Sequence, residues 1–397
     1  MPENMSFNLV DEEKTQLHRI KVVGVGGAGN NAINNMIEAG LTGVSFIAAN
    51  TDRQALDVNK ASVKIQLGER LTEGLGAGAN PEVGRQAAEE SKDVIKAALA
   101  ESHMVFITAG LGGGTGTGAA PVIAEICKEI GALTVGVVTK PFVFEAKKRS
   151  KQAEEGLARL NEMADTVITI PNDRLRGLDS KKATILEMFK RADEVLLHSV
   201  QGVTDLIMKP GLVNLDFADV RTTMSKAGMA LMGIGRATGE NRAAEAASKA
   251  LNHPLLEDIS ISGAGGVLMN ITAGPDLTLE EVLEASDLIH KEAGDDAEII
   301  WGTALDENLG EELHVTLIAT GIGNGPGQPQ GRGGRGFGGR VRDLTPEDMQ
   351  RAVNLDEPTF IRKKKAVGEG STGAVYRGLI LDGDDLDVPT FMRRKAD

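Results

Sequence analysis

The chain has 397 residues, enough for two or three domains, and only 3% are aromatic, so aliphatic side chains and alanine must fill its core. A formal charge of −14 argues against nucleic acid or an anionic membrane as a partner of the body. One cysteine, Cys127, excludes an intrachain disulfide and suits a reducing cytosol, and no apolar run reaches the roughly 18 residues a membrane helix needs.

The polar segment 1–19 lacks the apolar core of a signal peptide and reads as flexible. Ile20 to Val25 is a β-branched strand, and Gly24-Val-Gly-Gly-Ala-Gly29 leads from it into a helix expected near Asn30. A second strand, Ser45 to Ala49, ends near Asp52, which follows Gly29 by 23 residues. Gly-x-Gly-x-x-Gly with an acid at that spacing fits a dinucleotide-binding unit, and a mononucleotide site uses the same geometry. Strands are expected at Val63 to Gln66, Met104 to Ala109, Leu133 to Val138 and Thr166 to Ile170. Helices are expected at Pro81 to Ala100, Ala119 to Glu129, with Pro121 in its first turn, and Ala146 to Ala164. The fold class is α/β, a mostly parallel Rossmann-like sheet covered on both faces.

Between the strand at 104–109 and its helix lies Gly110-Leu-Gly-Gly-Gly-Thr-Gly-Thr-Gly118, with six glycines in nine positions. Backbone N–H groups free to turn inward, next to a helix N-terminus, make a natural phosphate cradle. One pyrophosphate does not need two such loops. No Gly-x-x-x-x-Gly-Lys-Ser/Thr occurs, so an ordinary P-loop is excluded.

Thr184 to Met208 reads as one long helix stopped by Pro210-Gly211, spanning roughly 37 Å at 1.5 Å per residue. A second, smaller α+β domain follows. It has a short helix near Phe217 to Ser225, helices at Arg242 to Leu251 and Leu279 to Glu292, and strands at Met229 to Ala237, Gly266 to Ile271, Ile299 to Leu305 and Leu313 to Thr320. From Gly321 the chain is rich in Gly, Pro, Gln and Arg and reads as a disordered linker. Its four arginines through Arg342 are a weak RNA-binding feature at most. From Ile322 onward 13 basic residues face 11 acidic ones, whereas residues 1–321 carry 30 against 46. Leu355-Asp-Glu-Pro-Thr-Phe-Ile-Arg-Lys-Lys-Lys-Ala366 is repeated, 31 residues on, as Leu386-Asp-Val-Pro-Thr-Phe-Met-Arg-Arg-Lys-Ala-Asp397.

Asn172 and Asp193 are candidates for choosing the base. A carboxylate accepts from guanine N1–H and N2–H₂ while an amide faces O6, and adenine would leave that carboxylate unpaired. Phe189, one turn before Asp193, can place its ring on the base. A strand-end cap, a solvated helix face and core packing are the alternatives for these three. In Asn214-Leu-Asp-Phe-Ala-Asp219, Asp216 and Asp219 fall on one side of a starting helix, where they can orient a water and help hold a cation or simply complement the helix dipole. The long helix would hold these acids tens of ångströms from the glycine loops, so a second subunit stacked head to tail would have to join them.

The run Gly112-Gly-Gly-Thr-Gly-Thr-Gly118 resembles the signature loop of the tubulin and FtsZ superfamily. Pro171-Asn-Asp-Arg-Leu175, Thr139-Lys-Pro-Phe-Val-Phe-Glu-Ala-Lys-Lys-Arg149 and the 214–219 segment are similar to further motifs of that family, over about residues 18–321. The resemblance implies a self-assembling GTPase that binds GTP or GDP with Mg²⁺, with no residue assigned as a protein ligand of the metal. Its binding residues would be Gly26, Gly27, Ala28, Gly29, Asn30, Asn31, Asn50, Gly113, Gly114, Thr115, Gly116, Thr117, Gly118, Glu145 at the ribose, Arg149, Asn172, Phe189 and Asp193. Its catalytic residues would be Asn214, Asp216 and Asp219, offered to the nucleotide of the next subunit. Ala28 and Ala146 stand where the family commonly has glycine.

The implied organisation is a nucleotide domain at 20–183, a central helix at 184–209, an α+β domain at 210–321, a linker at 322–385 and a terminal peptide at 386–397. Asp387 to Lys395, with a second copy at Asp356 to Lys365, would bind membrane-tethering and regulatory division proteins. The implied location is the cytoplasm at the mid-cell division site, with no direct membrane insertion. An NAD-dependent oxidoreductase and a nucleotide-gated scaffold without hydrolysis are the alternatives; the second glycine loop counts against the first and the 216/219 acids against the second.

Overall fold

The computed structural model describes residues 19–178, 184–209, 211, 213, 215–226, 229–256, 261–294 and 297–322. Asn214, the 1–18 segment and the tail with both motif copies lie outside the described residues. The elements in order are β1 (Ile20–Val25), α1 (Gly26–Glu38), β2 (Val44–Asn50), α2 (Arg53–Asp57), β3 (Val63–Gln66), α3 (Glu69–Thr72), α4 (Pro81–Glu90), α5 (Lys92–Leu99), β4 (Met104–Gly110) and α6 (Thr115–Glu129). Next come β5 (Leu133–Lys140), α7 (Lys147–Met163), β6 (Thr166–Pro171), α8 (Ile185–Met208), α9 (Phe217–Met224), β7 (Met229–Ala237), α10 (Arg242–Leu251), β8 (Gly266–Ala273), α11 (Leu279–Ala293), β9 (Glu298–Leu305) and β10 (Leu313–Ile322).

The strands form one sheet in the order β3-β2-β1-β4-β5-β6-β7-β10-β8-β9. From β3 to β7 every neighbour is parallel, whereas β10 runs antiparallel to both β7 and β8. Only Val167–Met229 and Ile168–Ala230 pair β6 with β7, so this short ladder joins the nucleotide half to the second half. The first six strands follow the doubly wound order, whose switch point lies between β1 and β4.

The period of two in each strand divides the core. In β4, Val105, Ile107 and Ala109 pack with buried residues of α4, α5, α6 and α7, while Met104 and Phe106 face the opposite layer. That layer holds Ile33 and Met36 of α1, Leu196, Val200 and Val203 of α8, and residues of both halves of the sheet. A third cluster places α10 and α11 on β7, β8 and β10. α8 therefore spans the join between the halves. Its N-terminus is closed by a capping box, in which the Thr184 hydroxyl accepts from the Glu187 N–H at 3.2 Å and the Glu187 carboxylate from the Thr184 N–H at 2.6 Å.

Three expected boundaries change. α1 begins at Gly26 rather than near Asn30, so the first glycine loop is itself the opening turn of the helix. α6 likewise begins at Thr115, which moves Pro121 out of the first turn into the helix interior. The single helix expected over 81–100 is two, divided at Ser91, whose hydroxyl accepts from the Gly68 N–H at 3.0 Å and contacts the Gln66 carbonyl at 3.4 Å.

Candidate active site

The two glycine loops leave the sheet side by side. Val25 is paired with Ala109 in the β1–β4 register, so Gly26 and Gly110 follow at the same level on the carboxyl edge. A Cβ on Gly26 would lie 2.9 Å from the Gly116 nitrogen, and one on Gly110 would lie 2.6 Å from the Ala28 Cβ, so side chains at either glycine would push the loops apart. Gly26 also has φ +71. The switch point thus carries the convergence that the two motifs suggested.

Not all the glycines serve a ligand. A Cβ on Gly118 would fall 1.9 Å from the Pro81 carbonyl and one on Gly84 would fall 2.3 Å from that of Gly114, so these positions let α4 lie directly on α6. At Gly27 a Cβ would meet nothing within 4 Å, and at Gly113 only the Arg149 guanidinium at 4.0 Å. Those two present bare backbone to open space, as a phosphate cradle requires.

Polar side chains brace the loops. With its amide oriented to satisfy its neighbours, Asn30 donates to the Gly24 and Gly26 carbonyls at 2.9 and 3.3 Å and accepts from Asn50 Nδ2 at 3.1 Å. Asn30 and Asn50 are both buried and engaged with the protein, whereas Asn31 is exposed. Thr117 Oγ1 accepts from the Gly112 N–H at 2.8 Å, and the Thr115 and Thr51 hydroxyls meet at 2.7 Å. The last contact brings the end of β2 to the second loop.

On the other side of the loops, the β5–α7 connection holds a 3-10 turn over Val143–Glu145. Glu145 accepts from the Phe142 N–H at 2.9 Å and pairs with Arg149. Asp173 clamps this turn by accepting from the Val143 N–H at 3.1 and 3.2 Å. Phe142 is buried against Phe144 in a stack, 5.1 Å between centroids, and meets Phe189 edge-on at 5.4 Å.

Phe189 is 39% exposed, and Asp193 follows it by one turn of α8. Asn172 is buried at the end of β6 and its side-chain oxygen has no partner among the described residues. Such an orphan at a strand end has capacity to spare for a ligand. Asp193 accepts from Asn35 Nδ2 of α1 at 3.1 Å. Burial pushes its carboxyl up to about 7, opposed by the Asn35 hydrogen bond and reinforced slightly by Glu194.

A stretch that the motif reading passed over also reaches the site. Gly74-Leu-Gly-Ala-Gly-Ala-Asn80 has φ above +50° at Gly74, Gly76, Gly78 and Ala79, and is tied to the end of β2 by Gly76 N–H to the Thr51 carbonyl at 3.3 Å. A Cβ on Gly114 would lie 2.8 Å from the Ala77 Cβ, so this third glycine-rich segment packs on the second loop. Three glycines in five residues were the signal for it.

Comparison with known proteins decides the family. Residues 19–180 match the model described as the Tubulin/FtsZ family, GTPase domain, and residues 228–323 match the FtsZ family, C-terminal domain. A protein of Coxiella burnetii named "Cell division protein FtsZ" is 49% identical over 384 residues, covering 96% of this chain and 98% of its own length. The chain belongs to the FtsZ family. A protein of the same name from Pseudomonas putida is 46% identical, covering 98% of this chain and all of its own. Among solved structures, an FtsZ dimer of M. jannaschii matches with a TM-score of 0.74 and 49% identity over 79% of this chain and 94% of that one. CetZ1 from Haloferax volcanii, at 21% identity and a TM-score of 0.68, shares the fold.

As a member of the FtsZ family the chain is a cell-division GTPase, its nucleotide is a guanine nucleotide, and its reaction is the hydrolysis of GTP. Among the described residues no helix is long and apolar enough to cross a membrane.

Of the three expected catalytic residues, Asn214 lies outside the described residues. Asp216 is exposed and caps α9, accepting from the Ala218 N–H at 3.3 Å, while Asp219 is exposed in the first turn. Neither is near the glycine loops. The Met208 side chain, at the end of α8, packs where a Cβ on Gly43 would stand, 3.1 Å away, and Gly43 immediately precedes β2. Phe217 meets the His103 ring at 6.2 Å, immediately before β4. The acids therefore sit at the amino edge of the sheet, and the glycine loops at its carboxyl edge.

Proposed function

We propose that the chain assembles head to tail into filaments of the division ring, and that each GTP site is completed by the Asp216 and Asp219 loop of the adjacent subunit. The observation that carries this is the separation of the two halves of the site. α8 has 24 residues, about 36 Å at 1.5 Å per residue, and runs from the base-binding side to the edge where the acids lie. Glycine loops and acids on opposite edges meet only across a heterologous contact, and such a contact, stacked along one axis, propagates into a filament.

In this reading the loops Gly26 to Asn31 and Gly112 to Gly118 hold the phosphates through those backbone N–H groups left free at the two helix starts, the Gly112 N–H being given to Thr117 and that of Gly118 to the Gly114 carbonyl; Thr115 lies beside them, and Asn30 and Asn50 brace the first loop. Phe189 supports the base, Asn172 and Asp193 read its edge, and Glu145 and Arg149 exchange their mutual pairing for the ribose and a phosphate. Asp216 and Asp219 of the incoming subunit orient the attacking water, with Asn214 beside them. In the same reading a Mg²⁺ ion would be held mainly by phosphate oxygens and water at these loops. Bound there, Mg²⁺ supplies charge neutralisation on the phosphates.

The repeated tail motif supports bivalent capture of a membrane-tethering or regulatory protein by Asp356 to Lys365 and Asp387 to Lys395, at cytoplasmic mid-cell. Loss of residues 355–366 should then weaken binding to a multivalent tether; unchanged affinity would remove the second copy from the reading.

The test of the shared site is GTP turnover per molecule against protein concentration with Mg²⁺. Turnover should be near zero below a threshold and rise steeply above it. Constant turnover per molecule would place the whole site in one chain.

A further inference from the structure

The amide of Asn35 holds one oxygen of Asp193 from the neighbouring helix, at 3.1 Å, and no motif points to it. α1 and α8 are in contact here, so the donor is brought by packing between two helices and not by the strand-end loops. We propose that Asn35 is a specificity-determining residue: by donating to Asp193 it favours the acceptor-only form of that carboxyl and so biases the base site toward guanine. This rests on the reading of Asp193 as the group that meets the base.

The chemistry follows from what each form of the carboxyl can offer. An ionised carboxylate has two acceptor oxygens and matches the paired N1–H and N2–H₂ donors of guanine. A neutral carboxylic acid has one donor and one acceptor, which matches the N1 acceptor and N6–H₂ donor of adenine. Protonation therefore does more than weaken guanine binding, because it turns the edge into one that accepts the competitor.

Asp193 is poised for that change. Burial disfavours its charge and Glu194 adds to the effect, while Asn35 opposes both. The charged groups on the elements packed around it are Glu187, Lys190, Arg191 and Glu194 on the adjoining turns of α8, Glu38 on α1, Lys140 at the end of β5, and Asp173 and Arg174 after β6. Glu38 is paired with Lys60, Asp173 is held by the Val143 N–H, and Arg174 donates to the Pro254 carbonyl at 3.4 Å. Asn35 is the neutral donor that draws the carboxyl back toward its ionised form.

The experiment is competition between GTP and ATP for the full chain from about pH 5.5 to about pH 8.5, with wild type, Asn35→Ala, Asn35→Leu, Asn35→Gln and Asp193→Asn. Wild type should lose affinity for GTP as pH falls through about 7, approaching tenfold per pH unit below it. The Ala and Leu variants should move that midpoint up by ~1 pH unit and narrow the GTP-to-ATP ratio at pH 7 about tenfold, while Gln, which keeps the donor, restores the wild-type profile. Alanine raises helix propensity at this half-buried position, and leucine fills the space, so at least one donor-free variant folds. An unchanged midpoint in a folded donor-free variant overturns the proposal. Unchanged guanine preference in Asp193→Asn overturns instead the assignment of Asp193 to the base, so the two failures are distinct.

Discussion

Ala146 and Ala28 each stand in a tight turn at a helix start, and the structure separates them. Ala146, the residue before α7, has φ +83 and ψ +147, near a region that only glycine occupies freely. Holding an alanine there costs on the order of 1–3 kcal/mol. Replacement by glycine removes that strain but adds roughly 0.5–1 kcal/mol of backbone entropy to the unfolded chain, leaving Ala146→Gly more stable by about 1 kcal/mol. For a body of this size that is about 2 °C in Tm. Ala28 lies inside the first turn of α1, where glycine has only its entropic penalty, so Ala28→Gly should lose roughly 0.5–1 kcal/mol. Paired urea and thermal melts of the nucleotide-free variants measure the difference. Equal effects of the two changes, or a loss in Ala146→Gly, would refute the argument from backbone conformation.

Gly118→Ala should destabilise the fold by several kcal/mol, since its Cβ would lie 1.9 Å from the Pro81 carbonyl, whereas Gly113→Ala should leave the melt within about 0.5 kcal/mol and weaken nucleotide binding; melts and GTP titrations distinguish them. Asp219→Ala should retain GTP binding but lose at least ~10²-fold in turnover, and wild-type turnover in that variant would remove its assigned role. Because burial raises the folded Asp193 carboxyl to about 7 from an ordinary 3.8, its contribution to stability is present below about pH 4 and is lost as pH rises through about 7. Asp193→Asn should remove that part of the pH dependence of the nucleotide-free melt. A variant profile parallel to the wild type would contradict it.

The parallel half of the fold was legible because its signals are local. β-branched runs such as Ile20–Val25 and Met104–Ala109 can only be buried strands, and glycines after each mark where the chain must turn closely over the sheet. What a run of glycines does not show is which of them face a ligand and which face a helix. Gly113 and Gly118 look alike in sequence, yet one faces open space and the other lets α4 touch α6, a difference set by a partner some 35 residues away in the chain. The single helix expected over 81–100 is two for a related reason: the break at Ser91 comes from hydrogen bonds to Gln66 and Gly68, while alanine-rich periodicity continues through it. Asn35 and Thr51 were invisible on the same principle, since each acquires its role only when α1 meets α8 or β2 meets α6. The acids at 216 and 219 present the opposite case. Their types and spacing were plain, and what the fold adds is their place, at the amino edge of the sheet while the glycine loops lie at its carboxyl edge.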